Sequence, residues 1–255
     1  MFHLNVLILN GSPKRKGGAS HFFVSLFRFM LCGCKIKTGS LHGENDYSEI
    51  LAQFSSLDAL VLSVPLYVDG IPSHVQKFLE QAETFCIERN CHFTLYVISN
   101  NGFIEGRQNQ THLKMYQCWC EHAGIKWGGG IGIGGGVMLH VLSIVYPIIL
   151  TLYLVSILLN LVCGNCVTSD MWIALFKNVL VYLFLNCGAL YCMVRLAWEV
   201  RNRKAAPNRY TRVMIPSFLF IPCADIFMAL LSLCNGRFIF TLLKKDNDTR
   251  TIDRV

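Results

Sequence analysis

Charge is what this chain has least of. Lys, Arg, Asp and Glu make up 15% of its 255 residues, against roughly 25% in ordinary soluble domains. The shortage is uneven, because the 27 positions from Val137 to Cys163 hold no charged residue at all. Histidine is one-sided too: of eight, only His140 follows residue 136. Residues 1–136 carry ten acidic and eleven basic groups, a net +1, and residues 137–255 carry the remaining +6. These distributions exclude one uniform soluble fold and imply a nearly neutral globular domain followed by a basic, membrane-facing part.

Other absences narrow the chemistry. The first apolar run, Leu4–Leu9, is too short for a secretory signal and has no basic residue before it, so the first domain is expected in the cytosol with its thiols reduced. Cys163-Gly-Asn-Cys166 has metal or redox spacing but no second pair nearby, which leaves a disulfide as the alternative. Cys118 and Cys120 fall on different faces of a predicted helix, and His74 and His122 read as helix-surface residues. No Ser/His/Asp or Cys/His constellation demands a side-chain nucleophile.

What is present in the first half is alternation. Strand-like runs at His3–Asn10, Cys34–Thr38, Asp58–Val64, His92–Ser99 and Ile125–Ile133 are separated by helical spacing at Ala19–Leu31, Asp46–Ser56, Ile71–Glu88 and Arg107–Ala123. Five strands and four helices imply an α/β fold with a five-stranded, parallel, doubly wound sheet, whose ligand lies beyond the carboxyl ends of the strands. The domain is expected over residues 1–136. Val137–Cys163 and Met171–Trp198 are then long enough for an α-helical transmembrane hairpin over 137–198, with Lys177 and Arg195 near the ends of the second span. Residues 199–255 form a basic segment expected in the cytoplasm. It contains a third apolar stretch, Val213–Leu243, interrupted by Pro216, Pro222, Asp225, Asn235 and Arg237. That stretch is expected to fold back over the sheet face that lacks a fifth helix.

Three loops carry the candidate chemistry. After the first strand, "NGSPKRKGGAS" supplies the hydroxyls of Ser12 and Ser20, the cations Lys14 and Lys16, and Gly18 before a helix, the makings of a phosphate site. It lacks the Gly-Lys-Ser/Thr ending of a Walker loop. After the third strand, Pro65, Leu66, Tyr67, Val68 and Gly70 suit a tight loop against a flat ligand; after the fourth, Asn100, Asn101, Gly102, Phe103 and Glu105 offer amides to the polar edge of a ring. A literal G-x-G-x-x-G at Gly130–Gly135 follows the fifth strand rather than the first and has no acidic residue at the dinucleotide spacing, so it reads as close packing.

"NGSPKRKGG", "PLYVDGIPSHVQKFLE", "NNGFIEGRQN" and "WCEHAGIKWGGGIGIGGGVM" together resemble the flavodoxin-fold NADPH-dependent FMN reductases over residues 2–138, with a weaker continuation at "IPSFLF". The resemblance implies a flavodoxin-like sheet and FMN as cofactor. Its phosphate would lie in the loop 11–20 with Ser12 and Ser20, and its ring between loops 65–70 and 100–106 against Tyr67 and residues 101–103. Ala19 stands where the family usually has Asn, Ser or Thr. The implied activity is an NAD(P)H-dependent flavin or quinone oxidoreductase, with NADPH or NADH as reductant and no metal. A tethered flavodoxin-like electron carrier is the alternative, and a transport or assembly role for the hairpin is a third. Expected partners are the lipid bilayer, a small-molecule electron acceptor and a second copy of the chain, with no nucleic acid. The expected location is the cell membrane, with the flavin domain in the cytoplasm.

Overall fold

A computed structural model describes residues 4–14, 17–42, 47–67, 70–163, 168–234 and 236. The chain divides into two units, Met1–Met214 and Ile215–Val255. The first is built on a parallel sheet of β1 (Asn5–Asn10), β2 (Lys35–Ser40), β3 (Ala59–Pro65), β4 (Thr94–Asn100), β5 (Lys126–Gly134) and β6 (Arg209–Arg212), in the order 2-1-3-4-5-6. The first five strands follow the flavodoxin-like order, which reverses direction between β1 and β3. Strands β3 and β4 are buried at every residue, as two covered faces require, whereas edge strand β2 exposes Lys35 and Lys37.

Alternation along the central strands separates the two faces. Leu7, Leu9, Leu60, Leu62, Val64, Leu95 and Val97 belong to one core cluster with Val75, Phe78 and Leu79 of α3 (Ser73–Arg89) and Leu113 and Tyr116 of α4 (Gln110–His122). The intervening residues face the other way, towards α1 (Ala19–Met30): Ser63 Oγ donates to Ser20 O. Of the crossover expected to be helical over 46–56, the described residues form a four-residue helix, α2 (Ser48–Leu51), and a 3-10 turn at Phe54–Ser56.

Two expectations need correction. The sheet has six strands, not five, because Arg209–Arg212 joins β5 in parallel. Parallel neighbours need a crossover, and here it consists of α5 (Gly136–Val162) and α6 (Ser169–Arg201). The cover expected of the third apolar stretch is supplied by the last turns of α6, where Ala189, Cys192, Met193, Leu196, Ala197 and Val200 are buried. That stretch begins in the first unit, where Val213 N–H donates to Gly134 O, and continues as α7 (Ser217–Cys234) in the second, with Pro222 inside the helix.

Polar contacts hold α6 to the sheet. Glu199, 4% exposed, accepts two hydrogen bonds from Arg209 of β6, at 2.8 and 2.5 Å. Tyr96 OH donates to Lys204 O at 3.0 Å, and burial pushes this phenol up to about 12. Arg201 donates to the carbonyls of Met30 and Cys32, and Arg203 pairs with Asp58 at 2.8 Å. Basic residues that the sequence offered as topological charge thus tie the crossover to the domain.

Of the described helices, α5, α6 and α7 are long and apolar enough to cross a membrane. Cys163 ends α5 exposed, and its expected partner Cys166 lies outside the described residues.

Removing one partner of a buried ion pair costs about 3–5 kcal/mol because the other charge is left uncompensated. Glu199→Ala, which strands Arg209, should therefore lower the unfolding free energy in detergent by about 3 kcal/mol. A chain cut after Gly136 should give no cooperative melt, since it lacks both β6 and the helix that covers Ile131 and Ile133. Thermal and urea unfolding followed by circular dichroism check both.

Candidate functional site

The loops after β1, β3 and β4 meet at the C-terminal edge of the sheet. Gly11 leaves β1 where a Cβ would lie 2.6 Å from Val64 Cγ1, so a glycine lets the chain turn against β3. The loop organises itself: Ser12 N–H donates to Asn10 Oδ1 at 3.0 Å and Lys14 N–H to Ser12 Oγ at 3.2 Å, which leaves the Ser12 hydroxyl proton to be donated. Gly17 has φ +76°, a left-handed conformation that a side chain would strain. Gly18 then caps α1 without a side-chain acceptor, and the first turn contains no acidic residue. The leading N–H groups of α1, which have no intrahelical partners, therefore form a positive end beside Ser12 and Lys14.

Asn100 fastens this end to the sheet. Its Nδ2 donates to Ser20 Oγ at 2.9 Å and to Val64 O at 3.1 Å. Asn101 is held differently: its Nδ2 donates to Glu105 O and Gln108 Oε1, while its Oδ1 is buried with no partner. An orphan acceptor at a cavity wall calls for a donor from a ligand. Leu66 N–H is tied to Asn100 O at 2.8 Å, Gly70 N–H donates to Tyr67 O, and Tyr67 is 48% exposed.

These groups enclose a cavity of about 150 Å³. Ser12, Lys14, Gly18 and Ser20 line it from the first loop, Pro65, Leu66 and Tyr67 from the second, and Asn100, Asn101 and Gly102 from the third. Gly70, Phe103 and Glu105 are outside that lining; Phe103 is exposed and Glu105 pairs with Arg212 at 2.8 Å. Lys16 and Val68 lie outside the described residues. Sequence reasoning missed Val137 and His140 of α5 as further lining residues. The available signal was that the first apolar span begins three residues after β5 ends, at the same edge.

His74 is not a free surface residue. It is half-buried and its Nε2 lies 3.0 Å from Gly11 O, so that nitrogen carries the proton and donates to the loop. Burial pushes its pKa down. The glycines of β5 serve close packing, though against a neighbour the sequence did not identify. A Cβ on Gly132 would lie 2.8 Å from Gly106 O, and one on Gly134 would collide with Ile104 O. Bare backbone there lets the turn after β4 sit flat on β5 and aim Asn101 into the cavity.

The cavity is smaller than the roughly 300–1,000 Å³ of ordinary small-molecule pockets. It suits a ligand whose anionic end is enclosed and whose flat part lies open. An anionic end would meet the donors at the head of α1, and an N–H edge would meet the acceptor Asn101 Oδ1.

No family model and no curated protein matches this chain. Among solved structures, a Trp repressor binding protein from Bacillus subtilis is 17% identical, with TM-score 0.42, over 51% of this chain and 84% of its own. An NAD(P)H:quinone oxidoreductase from Methanothermobacter marburgensis is 16% identical, with TM-score 0.43, over 52% and 85%. An azoreductase from Bacillus anthracis is 12% identical, with TM-score 0.39, over 52% and 87%. With scores this low, the fold rests on strand order and register alone.

The end of β4 is braced from the opposite face of the sheet by a wholly buried histidine. Ser99 Oγ gives its proton to Asn109 Oδ1 at 2.7 Å and so accepts from His112 Nδ1, also at 2.7 Å. Nε2 of His112 is left buried and unpartnered, and burial lowers the pKa to about 4. The unfolded chain binds that proton near pH 6.5, so stability is present above this pH and is lost as pH falls towards 4. Between pH 7.5 and 5 the loss should be about 2 kcal/mol, with His74 acting in the same direction. His112→Gln should flatten most of this slope in urea titrations.

Proposed function

We propose that this protein is a membrane-anchored, FMN-dependent NAD(P)H oxidoreductase that passes reducing equivalents from NADPH or NADH to a small-molecule acceptor such as a quinone. The observation that carries this reading is the meeting of three loops in one cavity at the β1/β3 switch point, where flavodoxin-like sheets hold FMN. The motif resemblance over residues 2–138 points the same way.

In this reading Ser12 and Ser20, the first N–H groups of α1 and Lys14 hold the phosphate. Asn101 Oδ1 accepts from the ring edge, Gly102 lets backbone approach it, and Tyr67 offers an aromatic face. Bound FMN supplies the two-electron chemistry itself. The protein contributes orientation: His74 and Asn100 fix the phosphate loop, and Ser99 with His112 fixes the strand end that presents Asn101.

The hairpin supports the anchoring part of the proposal. Helix α5 is exposed and apolar around most of its circumference, with Ile144, Ile148, Leu152, Val155, Leu158 and Val162 all more than 40% exposed. A helix apolar all round belongs in a protein core or in lipid. Arg201, Arg203 and Arg209 on the domain side of the hairpin support a cytoplasmic location for that domain, because basic residues accumulate on that side.

The test is a visible spectrum of the detergent-purified protein followed by anaerobic addition of NADPH. Flavin absorbance near about 450 nm that bleaches on addition supports the enzyme. Bound flavin that does not bleach points to the tethered electron carrier, and no affinity for FMN in equilibrium dialysis overturns both. Ser12→Ala should weaken FMN about tenfold or more, the loss of a charge-assisted hydrogen bond worth about 1.5–3 kcal/mol.

A further inference from the structure

The edge of the sheet that bears the cavity is also the edge from which the apolar hairpin leaves. Strand β5 ends at Gly134 and α5 begins at Gly136. The end of β6 marks the same level on α6: Val213 N–H donates to Gly134 O at 3.2 Å, and Met214 N–H to Leu185 O at 3.1 Å. From there α6 descends beside the sheet with Asn186, Met193 and Val200 buried, and Arg201 reaches the carbonyls of Met30 and Cys32 at the opposite edge. Before Asn186 no residue of α6 is buried, and beyond Leu139 only Ile157 of α5 is. Residues 140–162 and 169–185 therefore run together past the cavity-bearing edge, with Tyr146 stacked on Tyr182. At ~1.5 Å per residue these arms are about 35 and 25 Å long, the scale of a ~30 Å hydrocarbon core.

We propose that the cavity-bearing edge rests on the lipid headgroup layer, so that the mouth of the site opens against the membrane surface rather than into bulk water. The proposal rests on the reading of the hairpin as membrane-inserted. Val137, 45% exposed, is at once a wall of the cavity and the start of the apolar arm. Tyr67 and Phe103, 48% and 64% exposed, stand at the same edge, and aromatic side chains of this kind collect at headgroup level. Lys14 and Arg107 are exposed there too, where anionic headgroups attract them, while the carboxylate of Glu105 is paired with Arg212. The opposite edge presents Asn90, Gly124 and Lys126 to water.

The full chain in lipid nanodiscs, with a nitroxide quencher near the lipid headgroups, tests this by tryptophan fluorescence. Phe103→Trp and Tyr67→Trp report the cavity edge, Ile87→Trp reports the far end of α3, and the native Trp172 on the free arm is read by difference against Trp172→Phe. The emission added by Phe103→Trp and Tyr67→Trp should lose most of its intensity, that of Ile87→Trp should not change, and Trp172 should be quenched. Unquenched probes at 67 and 103 beside a quenched Trp172 overturn the proposal and leave the hairpin in lipid. Equal quenching at 87 and 103 overturns it in favour of a domain lying on its side. An unquenched Trp172 overturns the membrane reading itself, and the proposal with it.

Discussion

A doubly wound sheet must have both faces covered, and in this protein that constraint is met by a helix that also serves another purpose. The last turns of α6 bury Met193, Leu196 and Val200 against β5 and β6, and Glu199 closes the contact on Arg209. The same helix earlier in its course is an apolar arm with nothing buried. The apolar hairpin is therefore the crossover of a βαβ unit, and the domain cannot be separated from it without losing an edge strand and a cover.

The site depends on that closure. Strand β5 lies between β4 and β6, and its glycines admit the backbone of the turn after β4 within van der Waals distance. Thr211 of the neighbouring β6 meets the same turn, where a Cβ on Gly106 would collide with its carbonyl oxygen. The turn that carries Asn101 thus packs on β5 and β6 together. Polar groups do the local aiming: Asn100 ties the head of α1 to β3 and β4, and His74 holds Gly11 from α3. Among the unpaired groups, the Asn101 acceptor and the leading N–H groups of α1 border the cavity and suit a ligand with an anionic end and a donor edge.

Much of this was legible locally. Apolar runs such as Asp58–Val64 declared buried strands, here β3, and the change to helical spacing between them declared the parallel winding. The three loops could be picked out because Gly, Pro, Asn and Ser punctuate strand ends. The sheet order then brought ten of their proposed residues round one cavity. His74 was misread because its helical position says nothing about a carbonyl 63 residues earlier in the chain.

The sequence by itself determined the first five strands, three of the four helices between them, the apolar lengths and the loops that carry polar chemistry, because each follows from residues within a few positions of one another. Only the tertiary structure decided that Arg209–Arg212 is a strand. Its four residues have no apolar alternation, and they pair because β5 offers a free edge 78 residues away and Glu199 a buried carboxylate. It likewise decided which part of α6 covers the sheet, since both halves of that helix are apolar and only packing distinguishes a cover from an arm. The wall formed by Val137 and His140 belongs to the same class: α5 borders the cavity because of where β5 ends in space.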